Sequence, residues 1–377
     1  MTKPKKYDTK VAPKTLLLMV ETPYNPTKSI DSYCDEFVHL VKSNEIEFHE
    51  AIRIKLRDID SGYFLTSGKL EEIRKICHEQ NIEEVIISEP LTPRQERNLA
   101  ELFNCRVFDR TQLILEIFEK SAHSAEGKFQ VQIAMLNYKK SRIAGKGAQM
   151  SQQGGGIGTR GPGETAKEKE LRHIEEHILK NKKHLKTLAN TRDIQRKQRI
   201  ESNIAQICLI GYTNTGKSTL FNLLAKADVL AQDRLFATLD TTTRELFIDG
   251  KKKGVISDTV GFIQQLPHTL INAFKSTLDE LKYADLLLHI IDIADPNWKE
   301  HIAVVHQILH ELNVKKEMLY VFNKADKPEE LHAPALEREI FQPHVVISAH
   351  SKEGIKPLIE FLSIWQKKDS ETVTKNS

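Results

Sequence analysis

Short apolar runs alternate with amphipathic stretches along the first third of the chain. Continuous apolar runs are typical of strands buried on both faces, and apolar residues three to four positions apart are typical of helices. Strands are therefore predicted at residues 15–20, 48–54, 84–88 and 105–109, and helices at residues 30–41, 68–80 and from Pro93 onward. Because the two kinds of element alternate, residues 14–142 are predicted to form a small, mostly parallel α/β domain, after a disordered tail at residues 1–13.

Two further helices, predicted at residues 111–122 and 126–141, lead into a glycine-rich stretch. Residues 145–163 contain eight glycines, a density that neither a helix nor a strand accommodates. A bare linker fits this composition. A loop that follows phosphates closely also fits it, because Lys146 and Arg160 lie within the stretch.

From residue 164 the pattern becomes helical again. Apolar residues recur at a heptad-like spacing with one polar interruption at Asn181, and this seam consists of Leu171, Ile174, Ile178, Leu185 and Leu188. The Ala-Asn-Thr sequence at residues 189–191 is interpreted as a break, so a projecting helical hairpin is predicted. Residues 143–203 would thus form a glycine-rich loop and a basic helical linker.

The last part of the chain repeats the alternation of strands and helices. Strands are predicted at residues 204–210, 254–257, 285–292, 318–322 and 345–347, a helix follows the first of them, and a last helix spans residues 354–367. The pattern predicts a second α/β domain with a doubly wound, mostly parallel sheet at residues 204–367, and a polar tail at residues 368–377. The predicted fold class is therefore α/β, with a helical linker between the two domains.

Composition narrows the class of protein. No run of 18 apolar residues occurs, so no membrane span is predicted, although peripheral membrane association stays open. The basic N-terminus has no apolar core behind it, so no secretory signal is predicted there. The four cysteines lie far apart without metal-type spacing, which indicates a reducing compartment, and the cytoplasm is the expected location.

Charge is distributed unevenly along the chain. Residues 139–200 contain 16 Lys and Arg against 6 Asp and Glu, a net charge of +10. Since the whole chain carries +3, the remainder carries −7. A concentrated basic block on an acidic protein indicates a polyanionic partner, whereas a solvated helical surface is the plainer alternative.

A phosphate-binding motif follows the first strand of the second domain. The sequence fits G-x-x-x-x-G-K-[ST], whose glycines let successive backbone N–H groups face the phosphates of a nucleotide. Lys217 would reach the β- and γ-phosphates, and the Ser218 hydroxyl would hold Mg²⁺. The predicted nucleotide contacts in this loop are Gly211, Tyr212, Thr213, Asn214, Thr215, Gly216, Lys217 and Ser218.

Two further segments stand in the order that a GTPase needs. Thr238 is predicted to coordinate Mg²⁺ together with Ser218 and to sense the γ-phosphate, and Gly261 could offer its N–H to the same phosphate. Lys217, Thr238 and Gly261 are the predicted catalytic residues. The two segments are predicted to contact the nucleotide through Phe236, Ala237, Thr238, Leu239 and Asp240, and through Asp258, Thr259, Val260 and Gly261.

A third segment selects the base. Guanine presents two donors, N1–H and the 2-amino group, which one carboxylate can accept together, whereas adenine lacks this pair. Asp326 follows a predicted buried strand and is the predicted reader of guanine, and Lys324 would lie along the base. The predicted contacts here are Asn323, Lys324, Ala325 and Asp326, with Ser348, Ala349 and His350 from a later loop.

These motifs resemble those of the HflX family, within the wider Obg–HflX group of GTPases. The most specific mark is the string Arg160-Gly161-Pro162-Gly163-Glu164-Thr165, which stands just before the basic helical stretch. The resemblance implies an N-terminal α/β domain, a helical linker and a P-loop GTPase domain. It also implies binding to the large ribosomal subunit and its rRNA and, in some members, splitting of stalled ribosomes.

The departures from the family pattern bear on how the chain would work. Ala166-Lys167 stands where members often carry Gln-Leu, and His350 stands where Lys is usual. Phe262 occupies the position where many small GTPases carry the Gln that orients the attacking water, so slow intrinsic hydrolysis and stimulation by the ribosome are expected. A ribosome-assembly GTPase and an ATP-driven RNA-remodelling enzyme are the alternatives, and a monomer is expected.

Overall fold

The computed structural model of the chain forms two compact units. It describes residues 12–25, 27, 29–144, 166–201, 203–225, 234–267, 270, 278, 280–326 and 332–367. Among these, residues up to 116 and residues 138–144 form the first unit, and residues 117–137 and those from 166 onward form the second. Residues 1–11 of the predicted N-terminal tail, the C-terminal tail, most of the glycine-rich loop and the Arg160–Thr165 string lie outside the described residues.

A four-stranded parallel sheet is the centre of the first unit. Its strands stand in the order β2-β1-β3-β4, and its helices connect consecutive strands. The strands are β1 (Thr15–Glu21), β2 (Glu50–Lys55), β3 (Glu84–Ile87) and β4 (Arg106–Asp109), and the helices between them are α1 (Ile30–Ser43), α2 (Ser67–Glu79) and α3 (Pro93–Phe103). The predicted small parallel α/β fold is confirmed.

Local sequence explains where these elements begin. At the start of α3 the Thr92 hydroxyl accepts the backbone N–H of Gln95, the Gln95 side chain accepts the Thr92 N–H, and Pro93 occupies the first turn. Such a capping box satisfies donors that a helix start otherwise leaves open. The core is formed by apolar residues of the strands, among them Leu16, Leu18 and Val85, none of which is exposed.

The second unit contains a six-stranded sheet in the order β10-β9-β8-β5-β7-β6. All pairs are parallel except β6 with β7. The strands are β5 (Gln206–Gly211), β6 (Thr242–Ile248), β7 (Lys251–Asp258), β8 (Leu286–Asp292), β9 (Glu317–Asn323) and β10 (His344–Val346). Because β7 lies on one side of β5 and β8 on the other, the strand order reverses at β5, which is where open α/β sheets place their ligands.

Helices cover both faces of this sheet. In the described part of the chain after β5, the helices are α7 (Lys217–Ala225), α8 (Glu280–Tyr283), α9 (Trp298–Glu311), α10 (Ala335–Arg338) and α11 (Lys356–Ile364). Leu209, Leu288 and Val321 pack on one face with residues of α7 and α11, whereas Ile210 and Leu287 pack on the other face with residues of α9. The predicted doubly wound, mostly parallel domain is confirmed.

Among the described residues, three helices stand between the two sheets in sequence: α4 (Arg110–Ser121), α5 (Ala125–Ala144) and α6 (Ala166–Glu201). The prediction of a helical hairpin within residues 164–202 is wrong, because α6 is one continuous helix of 36 residues. Residues 189–191 contain neither Gly nor Pro, so no residue among them breaks the helix. The Thr191 hydroxyl donates to the carbonyl of Thr187 one turn earlier, as it can within a continuous helix.

The partner of α6 is α5. The Asn181 amide donates to Gln132 Oε1 at 3.3 Å, and the His184 ring stacks on Phe129 with ring centroids 5.0 Å apart. Ile174 on α6 is 4% exposed. The heptad-like seam therefore packs against an earlier helix, and residues 117–137 group with the second unit although the predicted domain boundary lies at residue 142. No helix in the described part of the chain is long and apolar enough to cross a membrane.

Candidate functional site

The loop between β5 and α7 passes very close to its neighbours. Gly211 has a φ of +149°, and a Cβ atom there would lie 2.3 Å from the carbonyl oxygen of Ile290 on β8. Gly216 has a φ of +90°, and a Cβ atom there would lie 2.4 Å from Nδ2 of Asn323. Only glycine fits both positions, so this sequence makes a tight loop whose backbone N–H groups stand at the start of a helix.

Lys217 is buried beneath this loop. Its Nζ donates to the carbonyl oxygen of Tyr212 at 2.5 Å. Burial lowers the pKa of Lys217 to about 8, with a further lowering by Lys324 and an opposing contribution from Asp258. A buried ammonium group next to a helix start favours an anionic ligand, because phosphate oxygens would supply the negative charge that the interior lacks.

Three oxygen-bearing side chains meet beside Lys217. The Ser218 hydroxyl lies 2.7 Å from Thr238 Oγ1 and donates to Asp258 Oδ2 at 2.7 Å. Burial raises the pKa of Asp258, and the hydrogen bond from Ser218 and the charge of Lys217 counteract this effect. The other oxygen, Asp258 Oδ1, is buried and has no hydrogen-bond partner among the described residues. Hard oxygen donors with a buried, uncompensated carboxylate oxygen fit Mg²⁺.

Gly261 and Phe262, which follow the end of β7, pack against the phosphate loop. A Cβ atom on Gly261 would lie 2.8 Å from Thr213 Cγ2 and 3.0 Å from Lys217 Nζ, so no larger residue fits. The backbone of Phe262 accepts from Thr213 N at 2.8 Å and donates to Gly211 O at 3.1 Å. Its ring is 1% exposed and packs in the core cluster of β5 and α9. The ring packs in the core and not at the phosphates, as expected for a side chain that cannot hydrogen-bond to the attacking water.

One pocket brings together residues from the phosphate loop and from both following segments. It is lined by Thr213, Asn214, Gly216, Lys217, Ser218, Thr219, Arg234, Phe236, Ala237, Thr238, Thr259 and Gly261. Thr219 and Arg234 are additional to the sequence prediction. Thr219 follows Ser218 on the first turn of α7 and could have been included on that ground. Arg234 stands two residues before Phe236, and no spacing rule identifies it.

Four other predicted contact residues pack within the protein and do not line the pocket. The Tyr212 ring stacks on His301 with centroids 3.7 Å apart, and Thr215 Oγ1 donates to the carbonyl of Tyr212 at 3.0 Å. Leu239 and Val260 are buried apolar residues. Thus the side chains at these four positions pack within the protein and do not line the pocket described above.

Asp240 departs further from its predicted place. Its carboxylate accepts hydrogen bonds from the backbone of His123 and Ser124 at the start of α5, at 2.8 and 2.6 Å. It does not belong to the pocket lining described above. The predicted nucleotide contact by this side chain is corrected accordingly, because the helix start already binds the carboxylate.

Asn323 links the phosphate loop to the base side of the site. Its amide nitrogen donates to the carbonyl of Thr215 at 2.8 Å, and its amide oxygen accepts the N–H of Ala349 at 2.9 Å. The side chain is 2% exposed. Asn323 therefore holds two loops together, and the backbone of the Ser348–His350 loop is placed by this bond.

Asp326 and Lys324 stand after the end of β9. Asp326 Oδ1 accepts the Ser348 hydroxyl at 2.6 Å, and its Oδ2 lies 3.7 Å from His350 Nε2. Lys324 Nζ forms an ion pair with Asp292 at 2.6 Å, at the end of β8. The contact with Asp292 was not predicted. These pairs fix both side chains at the carboxyl edge of the sheet, next to the loop from Ser348.

A doubly wound sheet whose central strand runs into a glycine-bounded phosphate loop, with an Asn-Lys-x-Asp turn two strands away, defines the P-loop GTPases. Comparisons with known proteins agree. Three family models match the chain: "GTP-binding GTPase N-terminal" at residues 31–119, "GTP-binding GTPase Middle Region" at residues 121–199 and "50S ribosome-binding GTPase" at residues 206–324.

Individual relatives cover most of the chain. GTPase HflX of Magnetococcus marinus is 41% identical over 352 residues, which are 93% of this chain and 81% of that protein. GTPase HflX of Escherichia coli is 40% identical over 331 residues, 87% of this chain and 78% of that protein. The chain belongs to the HflX family, and it is a GTP-binding GTPase.

A solved structure is similar at lower identity. It is the GDP complex of a GTP-binding protein from Sulfolobus solfataricus, which is 25% identical and has a TM-score of 0.45. The alignment covers 89% of this chain and 93% of that chain.

Proposed function

We propose that this chain is a Mg²⁺-dependent GTPase that binds the large ribosomal subunit and splits or rescues stalled ribosomes. The observation that carries the proposal is the match of residues 206–324 to a family described as a 50S ribosome-binding GTPase. The basic surface of α6 supports it independently. The cytoplasm is the location in which such a protein would meet ribosomes, and a monomer is the proposed state.

The proposed nucleotide site uses the clustered residues in separate roles. Ser218 and Thr238 would hold Mg²⁺, and Asp258 would contact it through water; the ion would neutralise charge on the phosphates. Lys217 would bind the β- and γ-phosphates, and the Gly261 N–H would donate to the γ-phosphate. Because phosphoryl transfer depends on positioning and charge stabilisation, these three roles together provide the catalysis.

Guanine selection is proposed for the Asp326 carboxylate, with Lys324 along the base. Asn323 would support the base site without contacting the base, because its amide nitrogen and oxygen are already bonded to Thr215 and Ala349. The Ser348 hydroxyl orients the carboxylate by donating to it. The Ser348, Ala349 and His350 loop would then contribute mainly backbone groups.

The proposed rRNA contact is the exposed face of α6. Three lysines on this face, Lys182, Lys183 and Lys186, have exposed side chains, and we call them the α6 lysine triad. A single exposed lysine attracts a polyanion weakly, whereas several neighbouring lysines attract a phosphate backbone strongly. The adjacent glycine-rich loop, which lies outside the described residues, is proposed to contribute to the same contact.

Sucrose-gradient sedimentation tests the proposal. Large ribosomal subunits should carry the wild-type protein to the subunit fraction with a non-hydrolysable GTP analogue, and much less with GDP or without nucleotide. Charge reversal of the whole α6 lysine triad to Glu should reduce this binding without changing GTP affinity. The matched control reverses three exposed lysines outside α6, Lys251, Lys315 and Lys316, and should leave the binding unchanged.

Two other activities are distinguished in the same preparation. A splitting factor should convert intact ribosomes into subunits when GTP is present, whereas an assembly GTPase should bind immature large subunits and leave intact ribosomes whole. An ATP-driven RNA-remodelling enzyme should lose bound labelled GTP to excess ATP. Retention of GTP under excess ATP would exclude ATP as the main nucleotide.

A further inference from the structure

The nucleotide-sensing segment Phe236–Asp240 is anchored on helices that precede the GTPase sheet in sequence. At one end, Asp240 Oδ2 accepts the backbone N–H groups of His123 and Ser124 at 2.8 and 2.6 Å. Its Oδ1 accepts the Ser124 hydroxyl at 2.5 Å. The same hydroxyl oxygen accepts the N–H of Gly127 at 2.9 Å, so Ser124 is the N-cap of α5. A carboxylate is favoured at this place because the helix start presents unpaired N–H groups and a positive dipole end.

Gly127 leaves the space that this carboxylate occupies. It is buried on the first turn of α5, and a Cβ atom there would lie 2.1 Å from Asp240 Oδ1 and 3.2 Å from Ser124 Oγ. Glycine lowers helix stability at such a position, so its presence has a reason other than helix formation. The start of α5 is shaped to receive Asp240.

The other end of the segment is held by an aromatic pair. Phe236 is 2% exposed, and its ring meets the Phe118 ring of α4 edge-on at 4.6 Å between centroids. Its backbone has a φ of +58°, a conformation that costs energy for a bulky residue and persists only where packing imposes it. The aromatic contact is therefore a second, independent anchor.

We propose that the α4–α5 junction, defined as Phe118, Ser124 and Gly127, positions Thr238 for GTP hydrolysis. The two anchors lie two residues before and two residues after Thr238, whose Oγ1 is thereby held 2.7 Å from Ser218 Oγ. None of the junction residues lines the pocket around the phosphate loop, so they are positioning residues. The inference rests on the proposed function of Thr238, and it assigns a role in hydrolysis to residues outside the matched GTPase region at 206–324.

Gly127→Ala in the full-length chain separates this role from general stability. Alanine favours the helix but expels the Asp240 carboxylate, so the melting temperature should hold or rise while the anchor is lost. Gly68→Ala is the matched control, because Gly68 also lies in the first turn of a helix and a Cβ atom there would meet nothing within 4 Å. Hydrogen exchange of residues 236–240 without nucleotide or metal should become faster in Gly127→Ala and stay unchanged in Gly68→Ala.

Gly127→Ala should slow GTP hydrolysis without changing nucleotide affinity. Single-turnover GTP hydrolysis should fall roughly three- to thirtyfold in Gly127→Ala, the factor expected for a lost helix-cap contact, whereas GDP affinity should not change. In an Asp240→Ala background, Gly127→Ala should have no additional effect, because its target carboxylate is already absent.

The outcomes also separate this inference from the role of Thr238 itself. If Thr238→Ala abolishes hydrolysis and Gly127→Ala hydrolyses GTP like wild type, the anchor is overturned while the role of Thr238 stands. If Thr238→Ala hydrolyses GTP normally, both ideas fail. Unchanged exchange of residues 236–240 in Gly127→Ala would overturn the anchor without reference to activity.

Discussion

Replacing Asp326 by Asn tests how the chain recognises its base. The substitution keeps the size of the side chain and one acceptor oxygen, but it replaces the other oxygen by an NH₂ donor and removes the charge. Guanine offers two donors to this position, so one of two charge-assisted hydrogen bonds is lost and two donors face each other. The Ser348 hydroxyl, which donates to Asp326 Oδ1 at 2.6 Å, can still donate to the remaining oxygen.

The expected magnitude follows from these contacts. Loss of a hydrogen bond to a charged group costs about 1.5–3 kcal/mol, which is about a tenfold to hundredfold loss of GTP affinity. The Asp326 side chain is 32% exposed, so solvent screens its charge and the lower end of this range is expected. Xanthine carries a carbonyl in place of the 2-amino group of guanine, so the new amide donor should improve binding of xanthosine triphosphate.

Isothermal titration with GTP and with xanthosine triphosphate measures this change of base specificity. The control is Asp249→Asn in the exposed turn between β6 and β7, which should leave both affinities unchanged. Unchanged GTP affinity in Asp326→Asn would remove this carboxylate from the base site. Equal losses for both nucleotides would show that the substitution damages the site instead of changing its specificity.

Three further predictions concern charge, pH and packing. Reversal of the α6 lysine triad should reduce the slope of log affinity against log salt for large subunits by about 2, since each phosphate contact contributes roughly 0.7–0.9; an unchanged slope would exclude the triad from the contact. Burial lowers the pKa of His289 to about 3, with smaller contributions from His306 and Lys217. The unfolded chain therefore binds the extra proton below pH 6.5, and denaturant titration should show that unfolding free energy falls by about 2 kcal/mol from this group between pH 6.5 and 5, a loss that His289→Leu should remove. Phe262→Ala should lower unfolding free energy by about 3–5 kcal/mol, yet the folded fraction should still hydrolyse GTP, whereas Lys217→Ala should not; equal loss in both variants would make the ring catalytic.

The sequence was most informative where burial is two-sided. β1, β3, β5 and β8 are continuous apolar runs because helices cover both faces of a parallel sheet, and each is predicted close to its observed bounds. The sequence did not predict β6. It is an antiparallel edge strand in which buried and exposed residues alternate towards its end, so it contains no continuous apolar run.

Long-range contacts account for the other differences. α6 continues through the weak helix formers Asn190 and Thr191, and its seam packs on α5, a contact that lies far away in sequence and stabilises the helix. Asp240 sits in a motif that predicts a nucleotide contact, but its carboxylate is bound by Ser124, 116 positions earlier. No local pattern links two residues at that separation. In contrast, a few adjacent residues determine the geometry of the phosphate loop and of the Asn323–Asp326 segment, so both could be predicted from the sequence.

Single-turnover GTP hydrolysis with and without large ribosomal subunits tests the central claim most directly. The free protein should hydrolyse GTP slowly, because the Phe262 ring lies in the core and cannot orient water. Large subunits should accelerate the reaction, up to about 10³–10⁵-fold if they supply missing catalytic charge and less if they only order existing residues, and Lys217→Ala should abolish it in both conditions. A free protein that already hydrolyses GTP as fast as the subunit-bound protein would contradict the account.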